Sequence, residues 1–495
     1  PGNSIGTLTI NGDARFSPGS RYEVEVDPGG TASDLILVTG RAILDGGSVI
    51  HVGEAGTYRP RSKYRILSAA GGVEGRFDEV RSDFAFLDPH LSYGANDVDL
   101  TLERNDIAFA RIAASDNQKA AAAALDALTF GDTVYDAVVV LDEPQARSAF
   151  EQLSGEIHAS AKSALIGGSG AVRGIVEQRL RGTLGAGRPI GAIAAYASLD
   201  DAEDEIPGEA PAADNGLWGR AFGSWARIRG EAGISGVRQD ESGFLIGADR
   251  DVADAWALPA AFDAFRLGAF GGYSRSTFKL DTRTSSGASE NAHFGVYANA
   301  EIGALRMSGG VTHAEHRAGS LRRVVFPGFD ERLTASYRAR TTQLFAETGY
   351  RIPAGSLAFE PFAGLAYVRF DRDPYRERGG VAALDVSRDR QGSAFSTIGL
   401  RGFADFLLGD LQATAHGMIG WRHMLSGGST PAEVALAGAG PFRISGSTLE
   451  RNAAIMEAGI DLGLSESATL SLGYDGRQGA RSTEHGVSAR LHAAF

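Results

Sequence analysis

The sequence predicts an all-β-dominated chain: a 12-stranded antiparallel transmembrane β-barrel, preceded by a helical linker or pore segment and by the C-terminal cap of a β-solenoid (β-helix). Three observations carry that prediction. From Gly216 onward, apolar and polar residues alternate at period two through twelve segments, the pattern of strands with two different faces. The polar faces hold charges of both signs and aromatic residues gather near segment ends, as in barrels whose outside meets lipid and whose inside meets water. Glycine is abundant at 66 residues against 16 prolines, with no collagen period, which fits many strands joined by many turns.

Residues 1–105 carry short β-rich runs, "SRYEVEV", "DLILVTGRAIL", "SVIHV", "KYRILSAA" and "NDVDLTLER", punctuated by Gly, Asp and Asn. They recur too loosely for a strict repeat and fit the last rungs of a solenoid with its cap, a small β-sandwich being the alternative. Between 106 and 182 the period becomes helical. "NQKAAAAALDAL" is rich in alanine, the best helix former. In "EPQARSAFEQLSGEIHASAKSALI", Pro144 occupies a first helical turn, and Phe150, Leu153, Ile157, Ala161 and Leu165 step by three and four along one face. "GGSG" at 167–170 reads as a helix break, after which "AVRGIVEQRLR" resumes the helix. "DDAEDE" and "PGEAPAADNG" read as a solvated acidic linker, so that 106–215 joins the cap to the barrel of 216–495.

The twelve strands are expected near 216–230, 242–251, 263–279, 290–302, 304–318, 339–352, 356–371, 392–406, 410–425, 449–464, 467–478 and 484–495. In "AHFGVYANAEIG", Phe294, Val296, Ala298, Ala300 and Ile302 share one face, while His293, Gly295, Tyr297, Asn299 and Glu301 share the other. Such strands reach the roughly 9–11 tilted residues that a bilayer requires. Only a closed barrel leaves no unpaired edge in lipid. In it, Arg220, Arg266, Glu301, Glu347, Glu360, Arg401, Arg422, Glu457, Asp461 and Arg490 project into a wet lumen. The terminal run "EHGVSARLHAAF" sets Val487, Ala489, Leu491, Ala493 and Phe495 on one face and is expected to close against "LWGRAFGSW".

The charge balance, 61 acidic against 48 basic residues, argues against a general nucleic-acid binder, which needs a basic face. Cysteine is absent, which removes disulfides, thiolate catalysis and Cys-ligated zinc. "HAEH" at 313–316 places its two histidines on opposite faces of a strand, so ordinary strand residues are favoured over a metal site. "GGSGAVRG" at 167–174 misses GxGxxG and lacks a Walker lysine; no GxSxG or HExxH is present. "DDAEDE" lacks the glycine and spacing of a calcium loop. No cofactor, metal or catalytic residue is therefore expected in these residues. No stretch approaches about 18 uninterrupted apolar residues, and the opening "PGNSIGTLTINGD" is no signal peptide. Any membrane is crossed by strands, and the chain reads as the tail of a longer precursor.

The order of β-rich cap, helical segment, acidic linker, twelve-strand barrel and terminal Phe resembles the C-terminal half of an autotransporter, the type V secretion proteins of Gram-negative outer membranes. The matching motifs are "LSGEIHASAKSAL" (153–165), "LWGRAFGSW" (217–225), "FRLGAFGGYSRSTF" (265–278), "VVFPGF" (324–329), "FEPFAGLAYV" (359–368), "GWRH" (420–423) and Phe495. The resemblance spans essentially the whole chain. It implies a translocator that exports and anchors its own N-terminal passenger, with residues 1–105 at the cell surface and the cap promoting passenger folding. It implies that a helix between about 145 and 185, bearing Phe150, Leu153, Ile157, Leu165, Arg173 and Arg179, occupies or approaches the lumen. It also implies that Val487, Leu491 and Phe495 form a signal read by the barrel-assembly machinery, with outer-membrane lipid and periplasmic chaperones as further partners. Some relatives cut the passenger at an Asn pair in the pore helix; this sequence has no such pair there. The alternatives are a surface adhesin with a host-surface ligand, or an outer-membrane hydrolase.

Overall fold

The computed structural model describes residues 4–53, 58, 62–182, 216–231, 233–253, 255–259, 261–465 and 467–494. The N-terminal strands stack in parallel. β1 (Thr7–Ile10), β2 (Ala14–Phe16) and β3 (Arg21–Glu25) form one rung. β4 (Leu35–Val38), β5 (Ala42–Leu44) and β6 (Ser48–Val52) form the next, and β7 (Ser62–Ala69), β8 (Val73–Gly75) and β9 (Glu79–Ser82) the third. Each strand lies in parallel register over its counterpart, β1 on β4 on β7, β2 on β5 on β8 and β3 on β6 on β9. The arrangement is a three-sided solenoid rather than a sandwich. Its inward residues, among them Val24, Val38, Ala42, Val49 and Ile66, are buried. The hairpin of β10 (Leu87–Tyr93) and β11 (Asp97–Arg104) adds to β7 in antiparallel sense and so ends the parallel stacking.

Helices α1 (Phe109–Ile112), α2 (Asp116–Leu125), α3 (Thr133–Val139), α4 (Glu143–Leu153) and α5 (Ile157–Gly182) follow. α2 and α4 open on capping boxes, Ser115 with Gln118 and Asp142 with Gln145, which satisfy first-turn N–H groups. The single helical face expected from Phe150 to Leu165 is broken. Gly155 takes φ +71, the left-handed conformation that commonly terminates helices, and a Cβ there would meet Leu384 Cδ1 at 2.3 Å. The break expected at "GGSG" does not occur. α5 runs through these glycines despite a cost of about 1 kcal/mol each, because the surrounding wall holds it; a Cβ on Gly168 would approach Glu241 Oε2 to 2.8 Å.

The remaining strands are β12 (Gly216–Ile228), β13 (Val237–Asp251), β14 (Ala264–Leu280), β15 (Ser285–Ile302), β16 (Leu305–Phe326), β17 (Phe329–Tyr350), β18 (Ile352–Ala354), β19 (Leu357–Arg372), β20 (Tyr375–Arg376), β21 (Leu384–Val386), β22 (Asp389–Leu408), β23 (Leu411–Ser426), β24 (Pro431–Leu436), β25 (Pro441–Ser445), β26 (Asn452–Ser465), β27 (Ala468–Gly479) and β28 (Ser482–Ala494). Twelve of them, β12 to β17, β19, β22, β23 and β26 to β28, form the antiparallel barrel, which closes where β28 pairs with β12 from Gly216↔Ala494 to Ile228↔Ser482. Residues 319–338, expected between strands, instead extend β16 and β17 as a paired hairpin up to Phe326↔Phe329. Its outward face is largely polar and its apolar residues, among them Val324, Phe326, Leu333 and Tyr337, point inward, the reverse of the sense expected of a lipid-facing strand.

One end of the barrel has several short turns; the other carries the excursions that hold the four-stranded sheet β20-β21-β24-β25. Outer-membrane barrels place short turns in the periplasm and longer loops outside, so the sheet is extracellular. There the last rung, α1, α4 and the loops share one apolar core that includes Phe86, Phe109, Phe150, Leu153, Phe326, Leu384 and Val434. Phe150 and Leu153 therefore pack at the outer mouth and not in the lumen. Leu217, Phe244, Ile246, Phe294, Val296, Leu344, Leu365, Ile398, Ile419, Val487 and Leu491 are exposed on the outside of the barrel, as a lipid-facing band requires. The acidic linker and Phe495 lie outside the described residues. Among the described residues no helix is long and apolar enough to cross a membrane, which says nothing of the strands.

Candidate functional site: the plugged lumen

α5 enters at the extracellular mouth and ends near the periplasmic rim. Its 26 residues span roughly 39 Å at 1.5 Å per residue, enough to thread the barrel. Spacing along the helix produces two stripes. Val172, Ile175, Val176 and Leu180 pack on Trp218, Phe222, Leu245, Phe270, Tyr297 and Phe345 of the wall. Higher up, Ile157, Ala161 and Ala164 meet Val237, Phe278 and Leu280, while Leu165 and Ile166 meet Ala339, Val368, Phe370, Phe395 and Met424. The opposite stripe, Arg173, Glu177 and Arg181, looks across a cavity of about 120 Å³, room for a few waters. The lumen is thus filled by the helix and partly apolar, where alternation alone suggested a wet one.

Polar contacts fasten the helix at both ends. At the mouth, Glu156 accepts from the Ser235 N–H at 2.8 Å and pairs with Arg283. Burial pushes its carboxyl up to about 7, opposed by the Arg283 charge. The His158 ring lies 2.9 Å from Glu377 Oε1 and 2.8 Å from the Tyr375 hydroxyl. Burial alone would raise the Glu377 carboxyl, but Arg322 and His158 hold it well below the usual range. Lys162, one of four lysines in the chain, donates to Asp389 Oδ2 at 2.6 Å and to the Pro431 carbonyl. At the periplasmic end, Arg179 donates two bonds to Asp249, at 2.8 and 2.7 Å. Asp249 also accepts from Tyr297 at 2.7 Å and from Arg266 at 3.2 Å, and Tyr297 accepts from the Trp218 indole at 2.7 Å.

The charged residues singled out in the sequence lie on the inner side of the wall. Arg401 bridges Glu360 at 2.7 Å and Glu347 at 2.6 Å beneath α5. Glu457 receives Arg181 at 3.2 Å; Arg490 reaches Asp461 at 3.2 Å and the Gln178 carbonyl at 3.5 Å. Arg220 and Arg422 line the cavity, Arg266 joins the Asp249 cluster, and Glu301 sits beside Arg306. On the helix, Arg173 contacts Glu177 at 3.4 Å and Gln343 at 3.5 Å. Tyr297 lies on the inner face that alternation gives it, whereas Asp249, Trp218, Lys162, His158 and Arg181 are site residues not expected from the sequence. A signal for Asp249 existed: alternation from Leu245 and Gly247 puts it on the inner face. For His158 and Lys162 no local signal existed, because their partners lie more than 200 positions away.

Among the described residues no group of three or more His, Asp or Glu could hold a metal ion, and Asp249, Glu347, Glu360, Glu457 and Asp461 are each paired with an arginine of the wall or of the helix. What the geometry does is pass the chain once through a closed barrel and hold it there. The profile of the autotransporter beta-domain matches residues 217–475.

The chain belongs to the autotransporter family.

Two extracellular serine proteases of Serratia marcescens are 31% and 28% identical to it over 549 and 546 residues. Both alignments take in all of this chain and 50% and 49% of the relatives, so the chain spans about half the length of the curated relatives it matches. The translocator domain of the autotransporter NalP from Neisseria meningitidis is 13% identical, with a TM-score of 0.48 over 67% of this chain and 99% of that one. The barrel of this autotransporter is an outer-membrane translocator for passenger export, seated in the Gram-negative outer membrane. The family favours that function over the adhesin and hydrolase alternatives.

Proposed function

We propose that α5 is the trailing part of the exported chain, retained in the lumen as the anchor that ties the surface-exposed cap to β12. The supporting observation is the path of α5, apolar on one side and ion-paired at both ends, between the extracellular core and the periplasmic rim. On this reading residues 1–105 form the cap, 106–215 the helices and linker, and 216–495 the translocator. The lumen charges Arg220, Arg401, Arg422, Glu457 and Arg490 keep the passage hydrated until α5 fills it. The cap folds first outside the cell and templates each preceding rung, so that burial of apolar rungs opposes backsliding.

Val487 and Leu491, which face lipid, would with Phe495 form the signal through which the barrel-assembly machinery, supplied by periplasmic chaperones, receives the chain. The Serratia relatives are extracellular serine proteases, and on this reading the whole protein carries a serine protease as its passenger. The test of the anchor is a chain lacking residues 157–182: it should insert, shift mobility on heating and conduct ions, yet fail to hold the cap at the surface. A cap retained normally without α5 would contradict it.

A further inference from the structure

The outward face of β14 to β17 carries a charged row that the translocator role leaves unused. Cross-strand register sets Arg275 opposite Glu290, Glu290 opposite Arg317, and Arg317 opposite Arg338. Four adjacent strands thus present three guanidinium groups and one carboxylate at one level. Directly opposed side chains in a sheet stand about 4.5–5.5 Å apart at Cβ, and like charges so placed are destabilising. Among the described residues none of the three arginines forms an ion pair, and Arg275, Arg317 and Arg338 are all exposed.

Beside the row lies a shallow hollow of about 430 Å³, floored by Ala288 and Gly319 and edged by Arg275, Glu290 and Arg317. Small residues there let a headgroup approach the wall. The next level toward the periplasm holds Tyr273, Ala292, Glu315 and Arg340, the last paired with Asp373, and below it lie Phe294 against His313, then Val296, Val311 and Leu344. The row therefore caps the lipid-facing band on its extracellular side.

We propose that Arg275, Arg317 and Arg338 bind the phosphate of an outer-leaflet lipid whose acyl chains lie along that band. The planar guanidinium pairs bidentately with phosphate oxygens, and one phosphate between Arg317 and Arg338 replaces their repulsion with attraction. Continuity with the apolar band selects a lipid over free phosphate, because the chains deliver the headgroup to the row.

The test uses the full chain in neutral detergent, titrated with lipid A, a bisphosphorylated glycolipid, and with its dephosphorylated form. Binding should weaken about tenfold in R317Q/R338Q and survive in R317K/R338K. An equal loss of charge in the cap, R15Q/R21Q, should leave it unchanged. Inorganic phosphate should compete only weakly. The proposal is overturned if R317Q/R338Q, shown to be folded by its heat-dependent gel mobility, binds within twofold of the unaltered chain. It is also overturned if the dephosphorylated lipid binds equally well, the outcome expected of an arc that contacts another protein. Should the double variant not fold, R275Q alone is read by the same criteria, with an expected loss of about threefold.

Discussion

Replacing Arg179 by methionine removes the cation that fastens the periplasmic end of α5. The side chains of Arg179 and Asp249 are 2% and 0% exposed, so the perturbation falls on a desolvated pair. Removing one partner of a buried pair costs about 3–5 kcal/mol when the other charge is left alone. Asp249 keeps Arg266 and Tyr297, which reduces the expected loss to roughly 2–3 kcal/mol. For a helix exchanging between lodged and withdrawn positions, that loss raises the withdrawn fraction roughly 30- to 160-fold. Conductance of the full chain in planar bilayers reads this directly as open probability. D249N should act in the same direction, and the double variant should exceed the larger single effect only slightly, because both remove one shared interaction. An open probability for R179M within threefold of the unaltered chain, with the barrel folded, would refute the clamp.

The cap should be acid-sensitive through His51, which is fully buried against Tyr58 and Phe84 and whose pKa burial lowers to about 4. The unfolded chain takes the proton first, so stability present above about pH 6.5 is lost as pH falls through about 4, by roughly 3 kcal/mol at most; hydrogen exchange of β6 and β9 should show it, and H51F should abolish the pH dependence. Phe109, buried and edge-on to Phe86 at 4.6 Å, joins the cap to the helices; F109A should cost about 3–5 kcal/mol and make residues 84–112 protease-sensitive while barrel heat-modifiability persists. Lys162 is fully buried on Asp389; K162M should leave that carboxylate only Arg372 at 3.9 Å and destabilise the mouth by about 2 kcal/mol, read as faster proteolysis of the 373–388 loop, with K162M/D389L restoring resistance.

The barrel was legible because a lipid face and an inner face impose period two, and each of the twelve expected segments overlaps an observed strand. What was hidden depends on tertiary contact. The hairpin top at 319–338 alternates in the reverse sense, with Val324, Phe326, Phe329, Leu333, Ala335 and Tyr337 inward and a largely polar outward side, so a search for an apolar outer face passes over it. The glycines at 167–170 favour a break by local propensity, and only the wall around α5 overrides it. Gly155, in contrast, does end a helix, and its position two residues after Leu153 was a readable stop. Inner aromatics such as Trp218 and Phe345 look like exceptions to a polar lumen until α5 is known to lie against them. The clamp itself needs Asp249, 70 positions from Arg179, and no local pattern links the two.

The measurement that bears most directly on export and anchoring is protease shaving of intact cells carrying an epitope in the 27–33 turn of the cap, followed by gel mobility of the membrane fraction with and without heating. The epitope should be lost while a heat-modifiable barrel fragment survives. An epitope protected on intact cells but cleaved after lysis, in a chain whose barrel is folded, would contradict it.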